Sequence, residues 1–196
     1  MTATRLVVGI SGATGTVLGV RLLELARKAG VETHLVVSPA GQQTRAYETD
    51  LSAADLAGLA DVSYRPADVG AAIASGAFDT IGMIILPCSV RTVAAVATGT
   101  GDTLLARAAD VTLKERRRLV VGVREAPLSL IHLRNLVTLT EAGAIVLPPV
   151  PAFYLRPSGV DDIVTQLAAR ALDLVGVDTE DLMRWHGPSR ENGRGS

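Results

Sequence analysis

Leu6-Val7-Val8-Gly9-Ile10, running into Ser11-Gly12-Ala13-Thr14-Gly15, is the stretch that decides the fold. Five apolar or small residues in a row, without polar alternation, read as a strand buried on both faces. The glycines then break the strand. From Val17 to Ala29 the apolar residues Val17, Val20, Leu22, Leu23, Leu25 and Ala26 recur at helical spacing. Strand, glycine turn and helix make the first half of a βαβ unit. The same alternation runs on through strand candidates Thr33–Val37, Ile81–Leu86, Leu119–Val123 and Ala144–Leu147. Helical patterns fit the Ala- and Val-rich stretch Arg91–Gly99 and Thr103–Arg117, Leu128–Ala142 and Val160–Val175. Ser158, ahead of Gly159 and the acidic pair Asp161-Asp162, reads as the N-cap of the last helix. The expected fold is therefore α/β: a doubly wound, mostly parallel sheet of the Rossmann-like or flavodoxin-like kind, in one domain.

The 196 residues suit a single domain at ~150 residues each. Residues 1–187 read as that domain and 188–196, polar with two glycines, as an unfolded tail. A net charge of −1 and only 3% aromatics exclude the global attraction and the stacking platforms of nucleic-acid binders, and the same charge argues against anionic membranes. Leu6–Ile10 is too short for a signal-peptide core, and no apolar run approaches the ~18 residues of a membrane span. Cys88 is the one cysteine, so there is neither an intrachain disulfide nor a multi-cysteine zinc site, and a reducing, cytoplasmic compartment fits. At 48% apolar and a mean hydropathy of +0.32, the chain points to a homo-oligomer.

In an open α/β sheet, ligands bind beyond the carboxyl ends of the strands. Those ends carry Ser11–Gly15, Ser38, Pro87–Thr92 and Arg124–Pro127. The glycine loop suits either an anion at a helix N-terminus or a plain tight turn. Its G-x-x-G-x-x-G spacing is not the dinucleotide fingerprint, and it lacks the Walker lysine. Ser89 and Thr92 suit a helix cap or a phosphate site. Cys88 reads as packing, Lys114–Arg118 as the cationic end of a helix, and His34, His132 and His186 share no metal-ligand spacing. Packing is the plain reading of Tyr154 and Trp185, as solvent or a subunit contact is of Arg170.

With these segments placed, the chain resembles the flavin prenyltransferases of the UbiX type, in particular the branch paired with aromatic-acid decarboxylases as their B subunit. The resemblance covers residues 5–186 and rests on Gly9–Gly15, Glu48-Thr49, Ala74-Ser75-Gly76, Pro87–Ser89 with Thr92, and Arg107–Val111. It continues through Leu113–Arg116, Val123–Leu128 and Pro148–Tyr154. It implies transfer of a dimethylallyl group from dimethylallyl phosphate to N5 and C6 of reduced FMN, giving prenylated FMN for a UbiD-type decarboxylase. It puts Gly12, Ala13, Thr14, Ser38, Ser89, Val90, Arg91, Thr92 and Arg124 around FMN. Tyr154, Arg170, Lys114 and Trp185 fall at the prenyl donor, and Glu48, Glu125, Thr14 and Lys114 in the catalytic set. Thr14 stands where serine is common, and Arg91 where lysine is. No metal is implied, because cations at Lys114, Arg124 and Arg170 offset the charge developing on the leaving phosphate. The resemblance also implies a ring or shell, commonly a dodecamer, with sites between subunits. Two alternatives remain: a flavin-binding decarboxylase subunit without catalysis, and a relative of the flavin-dependent cysteine decarboxylases. The latter's P-x-M-N-x-x-M-W stretch is absent from the sequence, and neither the glycine loop nor the other strand ends present its active-site histidine.

Overall fold

The computed structural model describes residues 4–185 and residue 187. Six parallel strands, β1 (Arg5–Ile10), β2 (Glu32–Val37), β3 (Val62–Tyr64), β4 (Gly82–Cys88), β5 (Arg118–Val123) and β6 (Ile145–Val146), form one sheet in the order β3-β2-β1-β4-β5-β6. The helices are α1 (Thr16–Lys28), α2 (Pro39–Glu48), α3 (Ala53–Gly58), α4 (Val90–Ala97), α5 (Leu104–Lys114), α6 (Leu130–Glu141) and α7 (Val160–Leu174), with short 3-10 turns at Ala72–Ala74 and Phe153–Leu155.

Strand alternation divides the core into two layers. Val8, Ile10, Ile84 and Leu86 point into a layer filled by Leu22, Leu23 and Ala26 of α1 and Val164, Ala168 and Leu172 of α7. Val7, Met83, Ile85 and Val121 face the other layer, against Val93 and Val96 of α4, Leu105 and Ala109 of α5, and Leu139 of α6. Both faces of the central strands are covered, which is why they read as unbroken apolar runs.

Three expectations need correction. β3, α2 and α3 were not anticipated, and the expected strand Ala144–Leu147 shrinks to two residues. The N-cap of α7 is Gly159 rather than Ser158. Ser158 instead donates its backbone N–H and its hydroxyl to the Asp162 carboxylate, at 2.7 and 2.6 Å, so the acid captures the serine that was to cap the helix. The tail and His186 lie outside the described residues. Among the described residues, no helix is long and apolar enough to cross a membrane.

Candidate active site

Strand order reverses between β1 and β4, the crevice where open α/β sheets hold ligands. The floor of this crevice is fastened by Ser11, a buried residue whose importance was not evident from the sequence. Its Oγ accepts the Ser89 N–H at 2.7 Å and donates to the Pro87 carbonyl at 3.2 Å. On the flanks, Ser38 N–H donates to the Ile10 carbonyl at 2.9 Å and Arg124 N–H to the Cys88 carbonyl at 3.1 Å. Four strand exits are thus tied edge to edge.

Three helices begin around this floor. Ser38 caps α2 by accepting from Gly41 N–H at 3.0 Å, Ser89 caps α4 through Thr92 N–H, and Thr103 caps α5 through Ala106 N–H at 3.3 Å. Pro66, just after β3, accepts the Leu104 N–H at 2.9 Å. Between these N-termini lies a cleft of about 300 Å³, lined by Gly12, Ser38, Ala40, Pro66, Ser89, Arg91, Thr92, Asp102 and Thr103 among others. A Cβ on Gly12 would collide with the Ala40 side chain, so only glycine lets the loop and α2 approach this closely. Helix N-termini, hydroxyls and the Arg91 guanidinium suit a phosphorylated, polyhydroxylated ligand, and the Ala and Leu105 walls suit its apolar faces. That donor set fits FMN, and the Ser/Thr caps at its rim serve both readings left open for Ser89 and Thr92. Val90 opens α4 beside Arg91, and Ala13 is buried in the loop.

The glycine loop turns out differently from either simple alternative. Gly15, in the left-handed conformation at φ 106°, is the N-cap of α1 and offers no side chain. Glu48, at the end of α2, supplies the missing acceptor: its carboxylate takes the Gly15 N–H at 2.9 Å, the Thr16 N–H at 2.8 Å and the Thr14 hydroxyl. The anion at this helix start is a protein carboxylate. Partial burial raises its pKa, but the hydrogen bonds from Thr14, Thr16 and Gly15 outweigh that and hold it below the ordinary carboxylate value. Glu48 is therefore an ionised carboxylate near neutrality, and it can accept a proton but has none to give.

Other residues lie elsewhere. Arg124 and Glu125 follow β5 on an exposed loop, with Glu125 Oε1 accepting the Ala126 N–H at 3.0 Å. Tyr154 and Arg170 line a separate apolar pocket of about 180 Å³ with Leu147, Ile163, Leu167, Leu182 and Met183. The two pockets share no lining residue. The Trp185 ring meets Tyr154 edge-on at 5.2 Å, and Arg170 pairs with Asp173, which also binds Arg184 at 2.6 Å. Lys114 stands apart from both pockets, at the C-terminal end of α5, paired with Glu115. α5 leads into the first residues of β5, so Lys114 lies at the edge of the sheet where strands begin, opposite the cleft. Cys88 is fully buried, and burial pushes its thiol up to about 12, as expected of packing.

A parallel sheet with helix N-termini gathered at its switch point is the arrangement in which open α/β proteins bind nucleotides and flavins. The family described as Flavoprotein matches residues 1–172. A flavin prenyltransferase UbiX from Neisseria meningitidis is 54% identical over 183 residues, 93% of this chain and 97% of the relative. The solved structure of AnUbiX (PadA1) with FMN and dimethylallyl pyrophosphate superposes with a TM-score of 0.93 at 48% identity, covering 94% of this chain and 98% of the other. A dodecameric FMN-dependent UbiX-like decarboxylase structure from Escherichia coli O157:H7 gives a TM-score of 0.90 at 50% identity, covering 94% and 100%. The chain belongs to the flavoprotein family and, within it, to the UbiX flavin prenyltransferases.

Proposed function

We propose that this protein joins the dimethylallyl group of dimethylallyl phosphate to N5 and C6 of reduced FMN, releasing phosphate and making prenylated FMN for a UbiD-type decarboxylase. The observation that carries this reading is the pairing of a cleft suited to FMN with a second, apolar pocket whose polar lining includes a phenol and a guanidinium, in a chain about half identical to flavin prenyltransferases. Reduced FMN, the acceptor substrate, supplies the nucleophilic N5 and C6.

The residues around it do the rest. Ser38, Ser89, Thr92 and Arg91 hold the phosphorylated end, with Gly12 and Ala13 setting how closely backbone and ligand approach. Tyr154 and Arg170 hold the donor's phosphate, and the dimethylallyl carbons extend from it to N5 and C6 of the flavin. The guanidinium groups of Arg124 and Arg170 stabilise the charge that develops on the leaving oxygen. Glu48 stays ionised and keeps the Thr14 hydroxyl oriented. Glu125, on its exposed loop, moves the proton between flavin and departing phosphate.

Residues 1–187 form the flavin-binding unit, working in the cytoplasm. A second copy completes the site, because Lys114 stands at the sheet edge opposite the cleft while the family pattern gives it to the donor. Leu130, Ile131, Leu133 and Val137, exposed on α6, are suited to burial in such an assembly, for which a dodecamer is the expected size.

The test is anaerobic incubation of the purified protein with reduced FMN and dimethylallyl phosphate, followed by mass analysis of the released flavin. A gain of one C5H8 unit is expected. Unchanged FMN with both the monophosphate and the diphosphate donor, despite demonstrated binding, returns the reading to a non-catalytic flavin-binding subunit.

A further inference from the structure

Thr16 opens α1 fully buried, and among the described residues its hydroxyl has no hydrogen-bond partner. Its backbone N–H is engaged, donating to Glu48 Oε2 at 2.8 Å. A buried hydroxyl stripped of water without a partner destabilises the fold, and valine would fill the same space without that loss. An orphaned group of this kind therefore calls for a physical reason. The acceptor it faces is the Glu48 carboxylate: the Thr16 hydroxyl helps to hold that group below its ordinary value, yet lacks the geometry of a completed hydrogen bond.

The hydroxyl in place on the carboxylate belongs to Thr14, which donates to Oε1, while the Gly15 N–H reaches both oxygens at 3.1 and 2.9 Å. A hydroxyl has a single proton to donate. Thr14 is exposed, so donating to a ligand in the crevice means letting go of Glu48. A carboxylate that loses a donor is drawn toward protonation. Thr16, closed off from solvent beside the same carboxylate, is placed to prevent this.

We propose that Thr16 is a positioning residue that relieves Thr14: its hydroxyl stands idle while Thr14 donates to Glu48, and bonds the carboxylate when Thr14 donates to bound flavin. Glu48 then stays ionised, and α1 stays capped, in both states. Flavin as the second acceptor for Thr14 rests on the prenyl-transfer reading. The exchange of donors is testable without turnover.

The experiment uses Thr16→Val, which keeps the shape and removes the hydroxyl, and Thr16→Ser, which keeps the hydroxyl. Each is made in the parent and in Thr14→Val, where residue 14 has nothing to donate. Acid unfolding is followed without ligand. In the parent background Thr16→Val leaves the midpoint in place, because the lost hydroxyl was idle. In the Thr14→Val background the same change moves the midpoint to still higher pH, and Thr16→Ser does not. Equal effects of Thr16→Val in the two backgrounds overturn the proposal, since independent sites act additively. Turnover supplies the second readout. The pH profile of kcat/KM for reduced FMN reports the protein without flavin, and that of kcat the protein holding it. In Thr16→Val the acid limb of kcat/KM stays in place, while that of kcat moves up by about one pH unit, the scale of one hydrogen bond to a carboxylate. Two limbs that move together, or that both stay, overturn the proposal. If the parent protein does not turn over, the prenyl-transfer reading is what fails, and the unfolding comparison alone decides on Thr16.

Discussion

The Glu48 carboxylate accepts the backbone N–H of Thr16 at 2.8 Å, thirty-two positions away in the chain, and so caps a helix to which it does not belong. α1 has no side-chain cap of its own, since Gly15 fills that place. The arrangement makes one residue answer both for the start of α1 and for the orientation of the Thr14 hydroxyl. Glu48→Ala leaves two N–H groups and a hydroxyl without their acceptor. The loss expected for a missing N-cap is about 1 kcal/mol, or a Tm lower by about 2–4 °C in a chain of this size. Thermal unfolding followed by circular dichroism measures it, and an unchanged Tm removes the capping role.

The hydroxyl of Thr14 helps hold Glu48 below the ordinary carboxylate value, so removing it shifts Glu48 upward. A carboxylate lowered in the folded state contributes stability that is present above its unfolded pKa, ~4.3, and is lost as pH falls through the folded value. Thr14→Val keeps the shape and loses the donor. Its unfolding midpoint on acid titration moves to higher pH than the parent's, and the acid limb of its rate profile moves the same way. Thr14→Ser keeps the hydroxyl and leaves both where they were.

Glu125 and Arg170 are assigned different work, and kinetics separate them. Glu125→Gln retains FMN binding and loses turnover, because the amide cannot move a proton; full turnover removes Glu125 from the chemistry. Arg170→Ala raises the KM for dimethylallyl phosphate about tenfold or more, consistent with a lost charge-assisted contact. The change also leaves Asp173 to Arg184 alone. An unchanged KM ends the phosphate role of Arg170.

Cys88 is inert in the native protein. Burial pushes its thiol up to about 12, and access is closed. At pH 8 a thiol reagent labels it only at the rate of unfolding, and mild denaturant accelerates labelling; immediate labelling of the native protein contradicts the burial.

The strands at the centre of the sheet were legible because burial on both faces leaves unbroken apolar runs in β1, β4 and β5 after their first residues and in the second half of β2. β3 was not, since its three residues sit at the edge and expose Val62 and Ser63. α2 was missed for a related reason: Gln42, Gln43, Thr44 and Arg45 give it no apolar stripe, and Gly41 is its one buried residue. At the site, the family motifs located Gly12, Ser38, Ser89, Arg91 and Thr92 around one cleft. Local spacing carries no trace of the partners that matter across the chain. Ser11 reaches Ser89, and Glu48 reaches Thr16. The separation of Lys114 from the cleft was equally hidden, because residue type does not say at which end of a helix the sheet opens.

The seam between Ser11 and Ser89 has a further consequence. It joins a hydroxyl to a peptide N–H in a buried place, with no ionisable partner in the bond itself. Acid and salt, which act on charged groups, leave such a joint as it was. The rim is built the other way, from Glu48 and exposed arginines. Acid strong enough to protonate Glu48, below the ordinary carboxylate range, or salt that screens the arginines therefore acts on the mouth of the cleft while its base keeps its shape, and the protein recovers its binding surface on return to neutral buffer without having to refold around it.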